Sequence, residues 1–233
     1  MKVDYCYIIH RTKDTNRDNI VKDLMKKTPT TCFEIVDEDS KLWYTPTDKD
    51  LLTFICFWSK KIKLPVISHY HNMMNIHKDI VKNKYNNVMI YEDDVKITNF
   101  DFNLFDIDNS KMFYNLDTDV NIGYVIGDYK SRLTRETFDI NNPKHKYRFC
   151  QTGAIFLPTF EKTQELVEIM EADRIRKKGK FRVFDIERCN ALRRVNKLNE
   201  CEFVIESVTN GFNQDKNLGS ILGNPVKVIK EFL

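Results

Sequence analysis

Short apolar runs alternate with segments of helical periodicity at the start of the chain. YCYIIH (residues 5–10) and CFEIVDED (residues 32–39) are rich in residues that favour strands. Between them, DNIVKDLMKK places apolar residues at helical spacing, namely Ile20, Val21, Leu24 and Met25. We expect Asp14, Thr15 or Asn16 to cap this helix. The order strand, loop, helix, strand predicts the opening of an α/β sheet.

The next pair of elements is a helix followed by a strongly apolar strand. SHYHNMMNIHKDIVKNKY (residues 68–85) predicts a helix capped by Ser68. We expect His69 to have a capping or orienting role within this helix and His77 to pack in the core. NVMIYEDD (residues 87–94) predicts a strand. A continuous apolar run suits a central parallel strand, because helices cover both of its faces. Its terminal acids are then expected at the carboxyl edge of the sheet, where ligands bind in open α/β sheets.

The second half of the chain repeats these patterns less regularly. NIGYVIGDY, FCQTGAIFL and CEFVIES predict strands over residues 121–129, 149–157 and 201–207. Helices are predicted in PTFEKTQELVEIMEADRIRKK, with Pro158 at its start, and in RVFDIERCNALRRVNKL. Since no repeat, linker or low-complexity tract divides the chain, we expect a single domain over residues 1–233. The predicted fold class is α/β, with a mostly parallel central sheet flanked by helices.

Composition narrows the functional classes. The chain has 233 residues, 42% hydrophobic and 30% charged, which is typical of a globular protein. A net charge of +3 gives no support for a nucleic-acid or membrane-surface protein. The start lacks the pattern of a signal peptide, and the apolar run LLTFICFW is too short to span a bilayer. We therefore expect a cytoplasmic protein whose six scattered cysteines are free thiols.

Three consecutive carboxylates, Glu92, Asp93 and Asp94, follow the central apolar run. Adjacent carboxylates repel one another unless water or a cation surrounds them. In a strand, Glu92 and Asp94 share one face and Asp93 takes the other. A carboxylate pair facing the crevice suits Mg²⁺ or Mn²⁺ together with substrate phosphates. Acids after a strand also occur as turn residues or at helix N-termini, so this alternative stays open.

The stretch SHYHNMMNIHKDIVKNKYNNVMIYEDDV resembles glycosyltransferase family 25, the lipopolysaccharide-biosynthesis type. That family pairs a Ser-His at the start of a helix with a strand that ends in Glu-Asp-Asp. Other segments are similar to the family in the same order, namely YIIHRTKDTNRDNIV, GAIFLPTFEKTQELVE, VFDIERCNAL and GFNQDKNLGSI. The chain also resembles the small glycosyltransferases of large DNA viruses, which implies a viral protein acting in the host cytoplasm.

The resemblance implies a GT-A fold, with a Rossmann-like nucleotide-sugar-binding half over about 1–130 and an acceptor-binding half over about 131–233. It implies Asp94 as the main ligand of Mn²⁺ or Mg²⁺, and Glu92 or Asp93 facing the ribose or a metal-bound water. The sequence departs from the family, which usually has Asn at position 10, and from the many GT-A enzymes that supply a late His to the metal. Here Gln214, Asp215 or water would replace that His. The implied donor-binding residues at the nucleobase or diphosphate are Ile8, Ile9, His10, Arg11 and Arg17.

The implied reaction moves a sugar from a nucleotide-diphosphate sugar, UDP-sugar favoured, to a hydroxyl of a glycan or glycoprotein. If the reaction inverts the anomeric carbon, a carboxylate must accept the proton of that hydroxyl. Asp185, which matches the family's late Asp, is the first candidate, followed by Glu187 and Asp128. An ion pair between Asp185 and Arg182 or Arg188 is the structural alternative.

Two other classes of protein fit the acidic cluster. A metal-dependent phosphoryl-transfer enzyme, such as a nuclease or nucleotidyltransferase, also uses grouped acids, which Asp37, Asp39 and Asp128 would supply. A non-catalytic nucleotide-sugar-binding protein is the second alternative.

Overall fold

The computed structural model describes residues 1–37, 47–54, 60–98, 100–118, 153–205 and 212–214. Its strands are β1 Tyr5–His10, β2 Phe33–Asp37, β3 Val88–Glu92, β4 Val95–Ile97, β5 Tyr114–Thr118, β6 Ala154–Leu157, β7 Glu202–Ile205 and β8 Phe212–Gln214. Its helices are α1 Asp18–Lys27, α2 Asp48–Thr53, α3 Lys60–Asn83, α4 Phe160–Arg176 and α5 Phe184–Arg194.

Six strands form the main sheet in the order β2-β1-β3-β6-β5-β7. Strands β2, β1 and β3 are parallel, β6 is antiparallel to both of its neighbours, and β7 is parallel to β5. The prediction of an α/β fold with a sheet flanked by helices is confirmed, and the sheet is mixed because β6 runs against the other five. The division into a nucleotide-binding and an acceptor-binding half stays a prediction, and the sheet contains strands from both.

Strand alternation divides the core into two layers. Side chains at odd positions of β1 and even positions of β3, such as Ile9 and Ile90, pack in the cluster that includes residues of α3, α4 and α5. Side chains at the intervening positions, such as Ile8 and Met89, pack in the cluster that includes residues of α1. The same alternation determines which side of the sheet each residue at a strand end faces.

Helix α3 begins at Lys60, so the prediction that Ser68 caps it is wrong. Ser68 is buried inside the helix, where its Oγ lies 3.3 Å from Asn72 Nδ2. The apolar face extends upstream through the buried Val66 and Ile67. Pro65 lies within the helix, where its fixed φ is compatible with helical geometry, but it lacks an N–H to donate and its ring crowds the carbonyl of the preceding turn.

The predicted cap of α1 is also absent. A 3-10 turn over Thr15–Arg17 leads into α1, and no side-chain cap hydrogen bond forms at either element. Asp14 instead faces Arg17, with 3.6 Å between its Oδ2 and Arg17 Nε. At α4 the cap is Thr159, one residue after the predicted Pro158, and its Oγ1 accepts a hydrogen bond from the Lys162 N–H at 3.2 Å.

A separate two-stranded sheet lies beside the end of β3. β4 pairs antiparallel with β8, with Val95 opposite Gln214. The sequence did not predict β4, β5 or β8, and the strand predicted over residues 121–129 lies outside the described residues. Within the described part of the chain, no helix is both long and apolar enough to cross a membrane.

Candidate functional site

The candidate site lies at the carboxyl ends of β1 and β3. These parallel neighbours end at His10 and Glu92, so their ends share one edge of the sheet. After Glu92 the chain turns through Asp93 and Asp94 into β4. We call Glu92, Asp93 and Asp94 the acidic turn. Because Asp94 lies in a turn and not in the strand, strand alternation does not fix its direction.

Asp93 is buried and holds the loop between β1 and α1. Its Oδ2 lies 2.8 Å from His10 Nδ1 and accepts a hydrogen bond from the Arg11 N–H at 3.4 Å. Its Oδ1 accepts a hydrogen bond from Arg17 Nη1. His10 Nε2 continues the network to Asp18 Oδ1 at 3.1 Å. Both oxygens of Asp93 therefore bind protein groups, and this carboxylate fastens the loop to the end of β3.

Arg17 is the buried cation of this network. Burial alone would lower the pKa of Arg17, but the neighbouring carboxylates, Asp93 foremost, raise it. The guanidinium lies 4.0 Å from Asp94 Oδ2, measured from Nη1. A permanent positive charge is thus placed beside both aspartates of the acidic turn.

Asp94 is in a different position from Asp93. Its side chain is 17% exposed, and its Oδ1 is buried without a hydrogen-bond partner among the described residues. Burial, together with the charge of Glu92, raises the pKa of Asp94 to about 7, although Arg17 opposes this shift. A buried carboxylate oxygen of this kind needs a proton or a cation.

Glu92 faces the opposite side of the sheet from Asp93 and lies beside α3. Its Oε1 is 3.6 Å from Nε2 of His69, and both side chains are half-buried. Local periodicity does not predict the contact of His69 with an acid, because a contact between a helix and a strand end depends on tertiary packing.

Asp185 lies in the first turn of α5, and α5 packs there on α3. The neighbouring Phe184 ring is 6.0 Å from the ring of Tyr70, which follows His69 in α3. Burial raises the pKa of Asp185, and the nearby Arg188 and His69 lower it in part. The predicted structural alternative is not observed, because Asp185 forms no ion pair with either Arg182 or Arg188. Instead, the Arg188 guanidinium lies over the ring of Phe113, 4.0 Å from its centroid.

Glu187, the second candidate base, belongs to the packing between α4 and α5. It is buried and forms an ion pair with Lys177, whose Nζ also lies 2.7 Å from Asp173 Oδ2. Asp185 and Glu187 are thus on the same helix but in different surroundings. Asp185 is the one placed near His69, while Glu187 is occupied by a structural ion pair.

The other predicted donor-binding residues lie along the same edge. Ile8 and Ile9 are buried in opposite core layers, and Arg11 is half-buried at the start of the loop. Thr12 joins this loop to the end of β2, since its Oγ1 donates to Asp37 Oδ2 at 2.6 Å. The remaining predicted site residues lie outside the described residues, namely Asp39, Asp128 and Asp215.

The carboxylates of the acidic turn are the predicted ligands of a divalent cation, and this assignment stays a prediction. Among the described residues, no group of three or more His, Cys, Asp or Glu is placed to hold a metal ion. Asp94, with its buried oxygen, and the neighbouring Glu92 are donors of the hard-oxygen type that Mg²⁺ and Mn²⁺ prefer. Strand β8 ends at Gln214 opposite Val95, the residue after Asp94, and Asp215 follows Gln214 in the sequence.

Comparison with known proteins gives a structural similarity at low identity. The sequence matches no protein-family model and no curated protein. A solved structure that it resembles is described as "crystal structure of a glycosyltransferase involved in the glycosylation of the major capsid of PBCV-1", with a TM-score of 0.41 and 11% sequence identity. The match covers 88% of this chain and 81% of that chain. The similarity is structural, so the functional argument rests on the side chains described above.

Proposed function

We propose that this protein is a metal-dependent glycosyltransferase that moves a sugar from a nucleotide-diphosphate sugar, UDP-sugar favoured, to a hydroxyl of a glycan or glycoprotein. The observation that carries the proposal is the buried Oδ1 of Asp94, which has no hydrogen-bond partner among the described residues. It lies beside Glu92 at the carboxyl end of a central strand, where α/β folds bind their ligands.

Asp94 would hold Mn²⁺ or Mg²⁺, with Glu92 as a second donor and Asp215 as a third. When bound, such a cation stabilises negative charge on a departing diphosphate. The orphaned oxygen of Asp94 and the pairing of β4 with β8 both support this ligand set.

The β1–α1 loop would bind the nucleotide. Asp93 holds this loop at Arg11 and Arg17, and Asp37 holds it at Thr12, so the loop is organised without a ligand. Arg17 adds a fixed positive charge close to Asp94, which favours a phosphate group there. His10 and Asp93 would act chiefly by positioning the loop, since both are buried and already paired.

Asp185 would accept the proton of the acceptor hydroxyl in an inverting reaction. Its raised pKa brings the carboxyl closer to the working pH, which suits proton transfer. Glu187 is less suited to this role, because Lys177 neutralises it within the helix packing.

A matched pair of variants distinguishes these two acids. We expect Asp185→Asn to lower the rate of sugar transfer or donor hydrolysis by about 10²-fold or more, while nucleotide binding is retained. Glu187→Gln should keep the rate within about threefold and lower the free energy of unfolding by about 1–3 kcal/mol. Steady-state kinetics and urea denaturation of both variants measure these effects. The reverse pattern, with activity lost in Glu187→Gln alone, would contradict the assignment.

Thermal-shift measurements on the wild-type protein test the function itself. With UDP at about 100 times its Kd, binding adds about 2.7 kcal/mol, which raises the Tm by about 5–10 °C for a chain of this size. We expect this rise with Mn²⁺ present and none without it, followed by slow release of UDP from one UDP-sugar of a panel.

Two other outcomes of this experiment would favour the alternative classes. Cleavage of a polynucleotide, with no response to nucleotide sugars, would indicate phosphoryl transfer. A Mn²⁺-dependent shift with no donor hydrolysis or transfer would indicate a binding protein.

A further inference from the structure

His69 differs from the other two histidines of α3 in its surroundings. His71 is buried with Nε2 3.3 Å from Asp50 Oδ1, and His77 is buried with Nδ1 2.7 Å from the carbonyl oxygen of Met73. His71 thus joins α3 to α2, and the contact of His77 with Met73 lies within α3 itself. His69 retains 23% side-chain exposure and contacts the acidic turn, with 3.6 Å between its Nε2 and Glu92 Oε1.

The packing of α5 on α3 places a second carboxylate, that of Asp185, within electrostatic range of the same imidazole. The ring of Tyr70, the residue after His69, lies 6.0 Å from that of Phe184 at an interplanar angle of 62°. Phe184 also lies 5.4 Å from the ring of His77, so the first turn of α5 contacts α3 at two rings. Asp185 follows Phe184, and His69 is close enough to act on its charge.

An imidazole that contacts one carboxylate through Nε2 keeps its other ring nitrogen available to a second carboxylate nearby. Such a residue fixes the separation of the two acids, as groups that hydrogen-bond to metal-ligand side chains fix the orientation of those side chains. Here the acids have different proposed roles, because Glu92 belongs to the donor and metal side and Asp185 to the acceptor side. The distance between these sides determines whether the acceptor oxygen reaches the anomeric carbon, and small displacements are costly.

We propose that His69 is a positioning residue that holds Asp185 in place relative to Glu92 and so joins the acceptor side of the site to the donor side. This role rests on the proposed function. His69 is not required to touch the nucleotide, so its removal should separate catalysis from donor binding.

Three variants test the role in kinetics. His69→Leu removes the polar ring, His69→Gln restores hydrogen-bonding capacity, and His71→Gln is the control on the same helix. With the UDP-sugar that the wild-type protein hydrolyses fastest, we expect His69→Leu to lower kcat by about 10²-fold. Its KM and its Mn²⁺-dependent thermal shift with UDP should stay within about twofold. The kcat of His69→Gln should be at least about fivefold higher than that of His69→Leu. His71→Gln should retain the wild-type kcat.

A spectroscopic measurement tests the contacts without any reaction. In ¹⁵N-labelled protein at one fixed pH, the ring nitrogen signals of His69 should move in Glu92→Gln and also in Asp185→Asn. The ring signals of His71 should stay in place in both variants.

The outcomes separate this inference from the proposed function. Unchanged His69 signals in Asp185→Asn, or a wild-type kcat in His69→Leu, would overturn the positioning role while the metal-dependent nucleotide shift of the wild-type protein persists. A wild-type protein with no such shift for any nucleotide would overturn the proposed function and this role with it.

Discussion

Asp94→Asn is expected to abolish the Mn²⁺-dependent stabilisation by UDP and to lower the rate of donor hydrolysis or transfer by about 10³-fold. That loss corresponds to about 4 kcal/mol of transition-state stabilisation. The reason is that Asp94 offers a buried oxygen with no hydrogen-bond partner among the described residues, beside Glu92. An amide in its place has no charge to hold a divalent cation.

The metal-free stability of the same variant should be unchanged or higher. A buried carboxylate oxygen without a hydrogen-bond partner costs free energy, so the loss of its charge relieves the folded state. Urea denaturation without Mn²⁺ measures this, and thermal shift with Mn²⁺ and UDP measures the loss of binding. Asp106→Asn is the control, because Asp106 is exposed and distant in sequence from the acidic turn. Equal nucleotide-dependent shifts in Asp94→Asn and wild type would contradict the metal assignment.

Unlike Asp94→Asn, Asp93→Ala should destabilise the metal-free protein, by about 3–5 kcal/mol, because it leaves the buried Arg17 cation without its main partner. Arg17 would lose the hydrogen bond from its Nη1, and the Nδ1 of His10 would lose a contact of 2.8 Å. The loop between β1 and α1 would also lose the attachment at the Arg11 N–H. Urea denaturation of the metal-free protein gives the free energy of unfolding directly.

A double-mutant cycle provides the control for this second prediction. Arg17→Met should be destabilising alone, and the combination with Asp93→Ala should cost clearly less than the sum of the two single changes. A single Asp93→Ala variant within about 1 kcal/mol of wild type would show that the network contributes no more than a surface ion pair. That result would contradict the different structural roles that their surroundings assign to Asp93 and Asp94.

The local elements of the fold were largely predictable from sequence. The apolar run of residues 5–10 coincides with β1, and β3 ends at Glu92 within the predicted strand. The start of α3 was missed, because Pro65 reads as a boundary although the apolar face continues upstream of Ser68. Strand β5, with the sequence YNLDT, was missed because Asn and Asp are common in turns.

The direction of each strand could not be predicted from local sequence patterns. β6 is an apolar segment like β1 and β3, and nothing in its composition distinguishes an antiparallel strand from a parallel one. Its direction depends on which edge of the sheet the preceding chain reaches, which is a tertiary property. The expectation of a mostly parallel sheet therefore held for five strands and failed for β6.

The candidate site was predictable in its location more than in its contacts. Alternation along β3 correctly places Glu92 on the α3 side of the sheet, because strand geometry is local. The attachment of Asp93 to Arg17 joins residues 76 positions apart, and no spacing rule connects them. The contact of His69 with Glu92 depends likewise on the packing of α3 against the sheet. The functional roles of these residues stay predictions.

The ladder between β4 and β8 has a consequence for biosynthesis. It pairs Val95, the residue after the acidic turn, with Gln214, which lies far downstream in the sequence. A ribosome releases the N-terminal strands first, and contacts between distant segments form slowly because the intervening chain must be ordered. A nascent chain that already has β1, α3 and β3 therefore still lacks the strand that pairs with β4 beside the acidic turn. If the proposed cation site depends on this pairing, cation binding is expected to arise only after residues 212–214 have been synthesised.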